Sequence, residues 1–235
     1  MAQASAVGVT RMVQIGCDLE AARWTVRAVE QHHQLLGGVA LLPASGLAAL
    51  DAALAEVEKL ASHPRIRVVG ETGLDHHWIR DCVGRQAQEV SFRRHIDLAK
   101  RLGRVLQIHD RDAHDDVLRV LHDEGAPEHT VFHCFSGDVA MARHCAEQGW
   151  YLSFAGTLTF KNAQPLREAL RAVPLEQVLV ETDAPYLAPA PYRGRTNASY
   201  LVPVTVRCLA EVVDRDLAEV CSVLDETSTR LYGPW

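Results

Sequence analysis

Ile66-Arg67-Val68-Val69-Gly70-Glu71-Thr72-Gly73-Leu74-Asp75 is the stretch on which the fold turns. Its opening residues form a short apolar run of the kind a buried parallel strand requires, and a glutamate stands directly at the end of that run. The same arrangement recurs further along. Val105-Leu106-Gln107-Ile108 ends in His109, Thr130-Val131-Phe132 ends in His133, and Val178-Leu179-Val180-Glu181 stands just before Asp183. Carboxylates and imidazoles at the carboxyl ends of successive buried strands are where a (β/α) barrel assembles its active site. Two imidazoles and two carboxylates also make a plausible ligand set for a hydrolytic divalent metal. The pattern points to a metal-dependent hydrolase.

Segments on either side alternate in the same way. Val9 to Ile15 is strand-like, and Asp18 to His33 has helical periodicity with Asp18 as N-cap. Leu35 to Leu42 is an apolar strand and Leu47 to Ala61 an alanine- and leucine-rich helix. After strand 66–70 a long loop is expected, then a helix from Gln86 to Leu102, strand 104–108, helix 113–124 and strand 130–133. Helix 138–148, strand 150–154, helix 162–172 and strand 177–181 follow. A proline-rich loop, Ala184 to Pro203, leads into closing helices over 204–213 and 215–231. Such alternation predicts an α/β fold with a parallel sheet, because parallel strands need crossover connections. No Gly-x-Gly-x-x-Gly follows the first strand and no P-loop is present. A TIM-type (β/α) barrel of about seven parallel strands, lacking the first of the eight, fits best, as a single domain over residues 1–235.

Composition narrows the function classes. No apolar stretch approaches the ~20 residues needed to span a bilayer, and the N-terminus lacks the basic region and apolar core of a signal peptide. The six cysteines are scattered without a C-x-x-C pair and predict reduced thiols in a cytoplasmic protein. A net charge of −6 counts against wrapping a long nucleic acid, but allows a grip on a few phosphates by local arginines and metal.

Each candidate also has a plainer role. Glu71 could cap the next segment, with its flanking glycines serving a turn. His109 could be a hydrogen-bonded core residue, although Asp110, Arg111 and Asp112 point to an open site, with Asp112 also a possible N-cap. Ser136 and Gly137 after His133 suit a tight βα turn whose N–H groups could face an anion, with Cys134 a buried filler. Asp183 could bind metal, act as general base, or both. Arg193 and Arg195, with Asn197 nearby, suit phosphate or a solvated loop. His76 and His77 are expected to be bystanders, His95 to sit in a helix–barrel interface, Trp24 and Trp150 to pack, and Arg11, Arg93 and Arg94 to be solvated.

Together these segments resemble the TatD family of metal-dependent deoxyribonucleases and related hydrolases, in order from about Val9 to Gly233. The carriers are Gly70-Glu71-Thr72-Gly73-Leu74-Asp75, the Gln86…Phe92…His95 helix, Ile108-His109-Asp110-Arg111, His133-Cys134-Phe135-Ser136-Gly137, Glu181-Thr182-Asp183-Ala184-Pro185-Tyr186-Leu187 and Arg193-Gly194…Asn197. The resemblance implies an amidohydrolase-type TIM barrel with one or two ions, Mg²⁺ or Mn²⁺ first and Zn²⁺ next. Glu71 would bridge the metals, His109 and His133 would complete one site, and Asp183 would belong to the other. Arg111 and Arg193 match positions near the substrate, which would be DNA, at an end or single-stranded.

Two departures stand beside the matches. The family opens with an Asp-x-His-x-His strand, and Met1 to Gly8 holds no histidine and looks like the tail of the helix that follows that strand. Leucine, in Val39-Ala40-Leu41-Leu42-Pro43, stands where the family carries a Gly-x-His-Pro histidine. Glu71, His109 and His133 remain as a three-ligand set for one cation. The exposed barrel edges would suit an oligomer. The alternatives are a non-catalytic barrel (a pseudoenzyme or truncated product) and a one-metal hydrolase of a small ester or amide.

Overall fold

The structure, a computed structural model, describes residues 1–42 and 50–235. Pro43 and the expected helix start at 47–49 lie outside the described residues. The chain divides into two compact units, one of Arg11–His133 with Pro234–Trp235, the other of Met1–Thr10 with Cys134–Gly233. The expected N-terminal helix is a single turn, α1 (Ala2–Ser5), in the second of these.

The unit built on Arg11–His133 runs β1 (Met12–Gly16), α2 (Leu19–Gln31), β2 (Leu35–Val39), α3 (Leu50–Ala61) and β3 (Ile66–Asp75). It continues with α4 (Cys82–Leu102), β4 (Val105–Arg111), α5 (His114–Glu124) and β5 (Thr130–Phe132). Its five strands pair in parallel in chain order. The core is the paired strand faces, with Leu36, Val39, Ile66, Val68, Val69, Leu106 and Ile108 inaccessible to solvent. Asp18 starts α2 as expected, its carboxylate accepting the Ala21 N–H at 2.8 Å. Ala22, Thr25, Ala28 and Val29 form the buried face of that helix. Gly37 makes the close approach possible, since a Cβ there would lie 2.9 Å from Thr25 Cγ2.

In the other unit α6 (Val139–Glu147), β6 (Tyr151–Phe154), α7 (Gln164–Arg171), β7 (Val178–Val180), α8 (Val202–Val213) and α9 (Leu217–Tyr232) follow in order. Its two strands are parallel, with Ser153 opposite Leu179. Asp138 caps α6 through the Met141 N–H at 2.9 Å, and Asp216 caps α9 through the Ala218 N–H at 2.8 Å. Among the described residues no helix is long and apolar enough to cross a membrane.

Several local expectations are corrected. The loop expected after Gly70 is strand: β3 runs on to Asp75 because Thr72 to Asp75 keep pairing with Ile108 to Arg111. Helix α4 starts at Cys82 rather than Gln86, capped by Asp81 through the Gly84 N–H at 2.8 Å. Asp112 is no helix cap; it adopts φ 55°, and Ala113 occupies the cap position without a side-chain bond. Trp24 is half exposed rather than packed, because it lies about 100° round the helix from the buried face at Thr25. Arg93 is not simply solvated: its guanidinium reaches Glu89 at 2.8 Å, Asp123 at 3.0 Å and also Glu124, tying α4 to the end of α5.

Candidate metal centre

Strand pairing explains how Glu71 is aimed. Gly70 pairs with Gln107 and Thr72 with Ile108, so the register shifts and leaves Glu71 as the extra residue of a bulge. Bulges re-aim a side chain out of the regular alternation. The flanking glycines serve the sheet rather than a turn. A Cβ at Gly70 would stand 2.6 Å from Gln107 Cβ, and Gly73, at φ 145°, has its backbone against the His109 carbonyl.

Gly73 pairs with His109, which places that imidazole at the same level of β4. The ladder continues on the other side, where the His133 N–H donates to the Ile108 carbonyl at 2.9 Å. Three side chains therefore converge. His109 Nδ1 lies 2.7 Å from Glu71 Oε1, and His133 Nε2 lies 3.3 Å from Glu71 Oε2. The two rings stack at 6.5 Å with 27° between their planes. Each of the three offers one ligand atom within 4.8 Å of the others. All are largely shielded, with side-chain exposures of 13% for Glu71 and 11% for His133.

Burial alone would raise the Glu71 pKa, but the charges of His133 and His109 and the His109 hydrogen bond outweigh it and hold the carboxyl below its usual range. Burial would lower the His109 pKa, but the hydrogen bond and charge of Glu71, joined by Asp75, push it above the ordinary histidine value. A part-buried carboxylate flanked by two imidazoles, each with a nitrogen directed at it, is a donor set that fits a divalent cation of intermediate hardness.

Asp75 is the residue that the sequence reading passed over. Its Oδ2 lies 3.1 Å from His109 Nε2, so His109 is held between carboxylates on both ring nitrogens. Asp75 is itself fixed: its Oδ1 accepts the Trp78 N–H at 2.8 Å, and the buried Gln88 amide bonds both its N–H at 3.0 Å and its carbonyl. The glutamine that α4 contributes is therefore Gln88, while Gln86 is exposed. A strand read through to Asp75 has Glu71, Gly73 and Asp75 at alternate positions, and this period of two was the available signal.

Arg111 lies at the end of β4, exposed, with its guanidinium carbon 5.7 Å from the Trp78 ring centre. His77 pairs with Asp112 at 3.4 Å, and His114 with Asp110 at 2.7 Å. His95 sits in the helix–strand interface as expected, buried on α4. Asp183 and Arg193 belong to the other unit. Asp183 follows β7 in a left-handed conformation, φ 57°, with its carbonyl accepting the Tyr186 N–H at 2.8 Å. Buried Asn197 braces that turn by donating from Nδ2 to the Thr182 and Tyr186 carbonyls, each at 2.7 Å. The Arg193 guanidinium lies 4.1 Å over the Phe160 ring. Cys134 is not a buried filler but is half-buried, with φ 42°.

Comparison with known proteins gives the family and the fold. The family profile described as TatD related DNase matches residues 1–233. A Mycobacterium tuberculosis protein described as an uncharacterized metal-dependent hydrolase TatD is 50% identical over 234 residues, covering 98% of this chain and 89% of the relative. The uncharacterized metal-dependent hydrolase YabD of Bacillus subtilis is 33% identical over 231 residues, covering 98% of this chain and 90% of its own. Among solved structures, the TatD homolog YJJV of Escherichia coli superposes with a TM-score of 0.91 at 23% identity, covering 100% of this chain and 90% of that one. A TatD family hydrolase from Entamoeba histolytica gives 0.87 at 16% identity, covering 100% and 88%. The fold is the TatD-like TIM barrel, here with seven described parallel strands.

Proposed function

The chain belongs to the TatD family of metal-dependent hydrolases, and from that premise we propose that it cleaves phosphodiester bonds in DNA. The observation that carries the reading is the convergence of Glu71 from the bulge of β3, His109 from the later part of β4 and His133 from just after β5. These three would hold the cation. Nitrogen-rich donors favour Mn²⁺ over Mg²⁺, and Zn²⁺ would also compete for them. When bound, such a cation polarises a phosphoryl oxygen and acidifies water.

The remaining roles fall to the protein's own groups. Asp75, hydrogen-bonded to His109 Nε2, keeps that proton on the far nitrogen and leaves Nδ1 as the donor atom. Asp183 serves as general base, accepting a proton from the attacking water, in a turn that Asn197 holds in shape. Arg111 and Arg193 suit phosphate oxygens through their planar forks. Six scattered cysteines without a C-x-x-C pair suit a reducing cytoplasm.

Incubation of the purified protein with a labelled DNA oligonucleotide and Mn²⁺ tests this. Cleavage is expected, abolished by chelator and by His109→Ala. Turnover of a small ester with no DNA cleavage, or cleavage unchanged in His109→Ala, would contradict it.

A further inference from the structure

The starting ends of β3 and β4, away from the metal cluster, hold two arginines side by side. Val68 of β3 pairs with Val105 of β4. Arg67 and Arg104, each one residue earlier, are therefore neighbours on strands that lie about 5 Å apart. Arg67 stands four residues before Glu71, roughly 13 Å back along the strand. Like Glu71 it occupies a bulge: Gly37 pairs with Ile66 and Gly38 with Val68, which leaves Arg67 as the extra residue between them. Both arginines belong to the unit of Arg11–His133.

Like charges facing one another destabilise a sheet, and here no carboxylate offsets them. Arg67 Nε is buried without a hydrogen-bond partner, and among the described residues its side chain makes no ion pair. Arg104 makes two long contacts to backbone, Nε to the Ala61 carbonyl at 3.3 Å and Nη2 to the His63 carbonyl at 3.5 Å. Burial and the charge of Arg67 both lower the Arg104 pKa, and no carboxylate raises it. The acids around this end are turned elsewhere. Glu30 lies against His63 Nε2 at 3.5 Å. Glu128, two residues before the Thr130 that pairs with Leu106, is exposed and bonds neither arginine. Arg93, by contrast, is matched by three carboxylates.

Two adjacent guanidiniums with unused donors and no counter-charge match an oxyanion. Phosphate oxygens take the parallel N–H groups of a guanidinium fork, and one dianion offsets both cations. We propose that Arg67 and Arg104 form a binding site for a phosphate-class oxyanion, at the starting ends of β3 and β4. The site uses no residue of the metal centre and does not depend on the nuclease reading. Its occupancy stabilises the folded unit by linkage, since an unfolded chain does not hold the two arginines together.

Calorimetric titration of the whole protein with inorganic phosphate tests this, in chelator and at constant ionic strength. Saturable binding is expected in the wild type. Arg67→Met should weaken it about tenfold or more, the loss expected for hydrogen bonds to charged groups. Arg67→Lys keeps the charge without the fork and should weaken it less. Acetate should bind the wild type more weakly than phosphate does. Phosphate should also raise the wild-type urea midpoint and leave that of Arg67→Met nearly unchanged. Without phosphate, Arg67→Met should unfold no earlier than the wild type, because one of two facing like charges is gone. A lower midpoint there would mark Arg67 as a residue that holds the fold, and would overturn the site. Absence of saturable binding, or equal phosphate affinity in wild type and Arg67→Met, would overturn it as well. Acetate bound as tightly as phosphate would overturn the phosphate class.

Discussion

Two shielded histidines of the same unit, His95 on α4 and His109 at the end of β4, show how surroundings decide what an imidazole does. His95 is fully buried and meets no charged group: Nδ1 donates to the Ser91 carbonyl at 2.8 Å, with the Ser91 hydroxyl at 3.5 Å, and Nε2 accepts the Leu41 N–H at 3.1 Å. Burial therefore lowers its pKa to about 4, with Arg94 adding slightly to the shift. It is a neutral structural clip. His109 is only part-buried and meets Glu71 on one nitrogen and Asp75 on the other, and those carboxylates push its pKa upward against burial. Burial makes the first histidine inert, while paired carboxylates give the second the surroundings in which a proton and a cation would compete.

The sharpest way to break this comparison is to remove each ring. His109→Ala is expected to lower Mn²⁺ affinity by about a thousandfold, beyond the ~10–100-fold typical of residues behind the ligands. Its urea midpoint should stay near that of the wild type. His95→Ala should do the reverse. It leaves the buried Leu41 N–H and Ser91 carbonyl without their partner and opens a cavity, a loss of roughly 3 kcal/mol in urea unfolding, with Mn²⁺ affinity unchanged.

Acid titration sharpens the contrast through its sign. His95 has a folded pKa of about 4, below its unfolded value of 6.5. The unfolded chain binds the extra proton between these values, so stability is full above pH 6.5 and falls as pH drops toward 4. The loss is on the order of 3 kcal/mol and should be absent from His95→Ala. His109 in the metal-free protein acts oppositely. Its folded pKa is raised, so its contribution is present below pH 6.5 and fades as pH rises through the folded value. Mn²⁺ affinity must then increase with pH over the same range, measurable by titration at successive pH values. Carboxylates such as Glu89, held at about 2 by Arg119 and Arg93, act only at lower pH. The smallest expected effect is that of Asp75→Asn. An amide cannot match the carboxylate's hold on His109 Nε2–H, so Mn²⁺ affinity should fall about 10–100-fold with little change in unfolding.

The elements were legible wherever burial and periodicity coincide. The apolar runs ending at Gly70, Ile108, Phe132 and Val180 are all strands, and Asp18 is the cap it resembles. Glu71, His109 and His133 were legible because each closes an apolar run, and those runs lie side by side as parallel strands. What was missed lay in local irregularity. The bulge at Glu71 carries the strand on to Asp75, yet Thr72-Gly73 looks like a turn in sequence, so Asp75 was left outside the site. Gln88 was overlooked for Gln86 because a polar residue on a helix looks solvated until the strand end it clamps is known. Trp78 could not be recognised as exposed, since nothing in its composition distinguishes a presented indole from a packed one.

The most direct test of the central claim is a calorimetric titration of the purified, folded protein with Mn²⁺, repeated on His133→Ala. The geometry of Glu71, His109 and His133 predicts saturable binding in the wild type, with proton release, and its loss in the variant. A folded wild type that takes up no Mn²⁺, or a variant that binds it equally well, would contradict the assignment of this cluster as the metal centre.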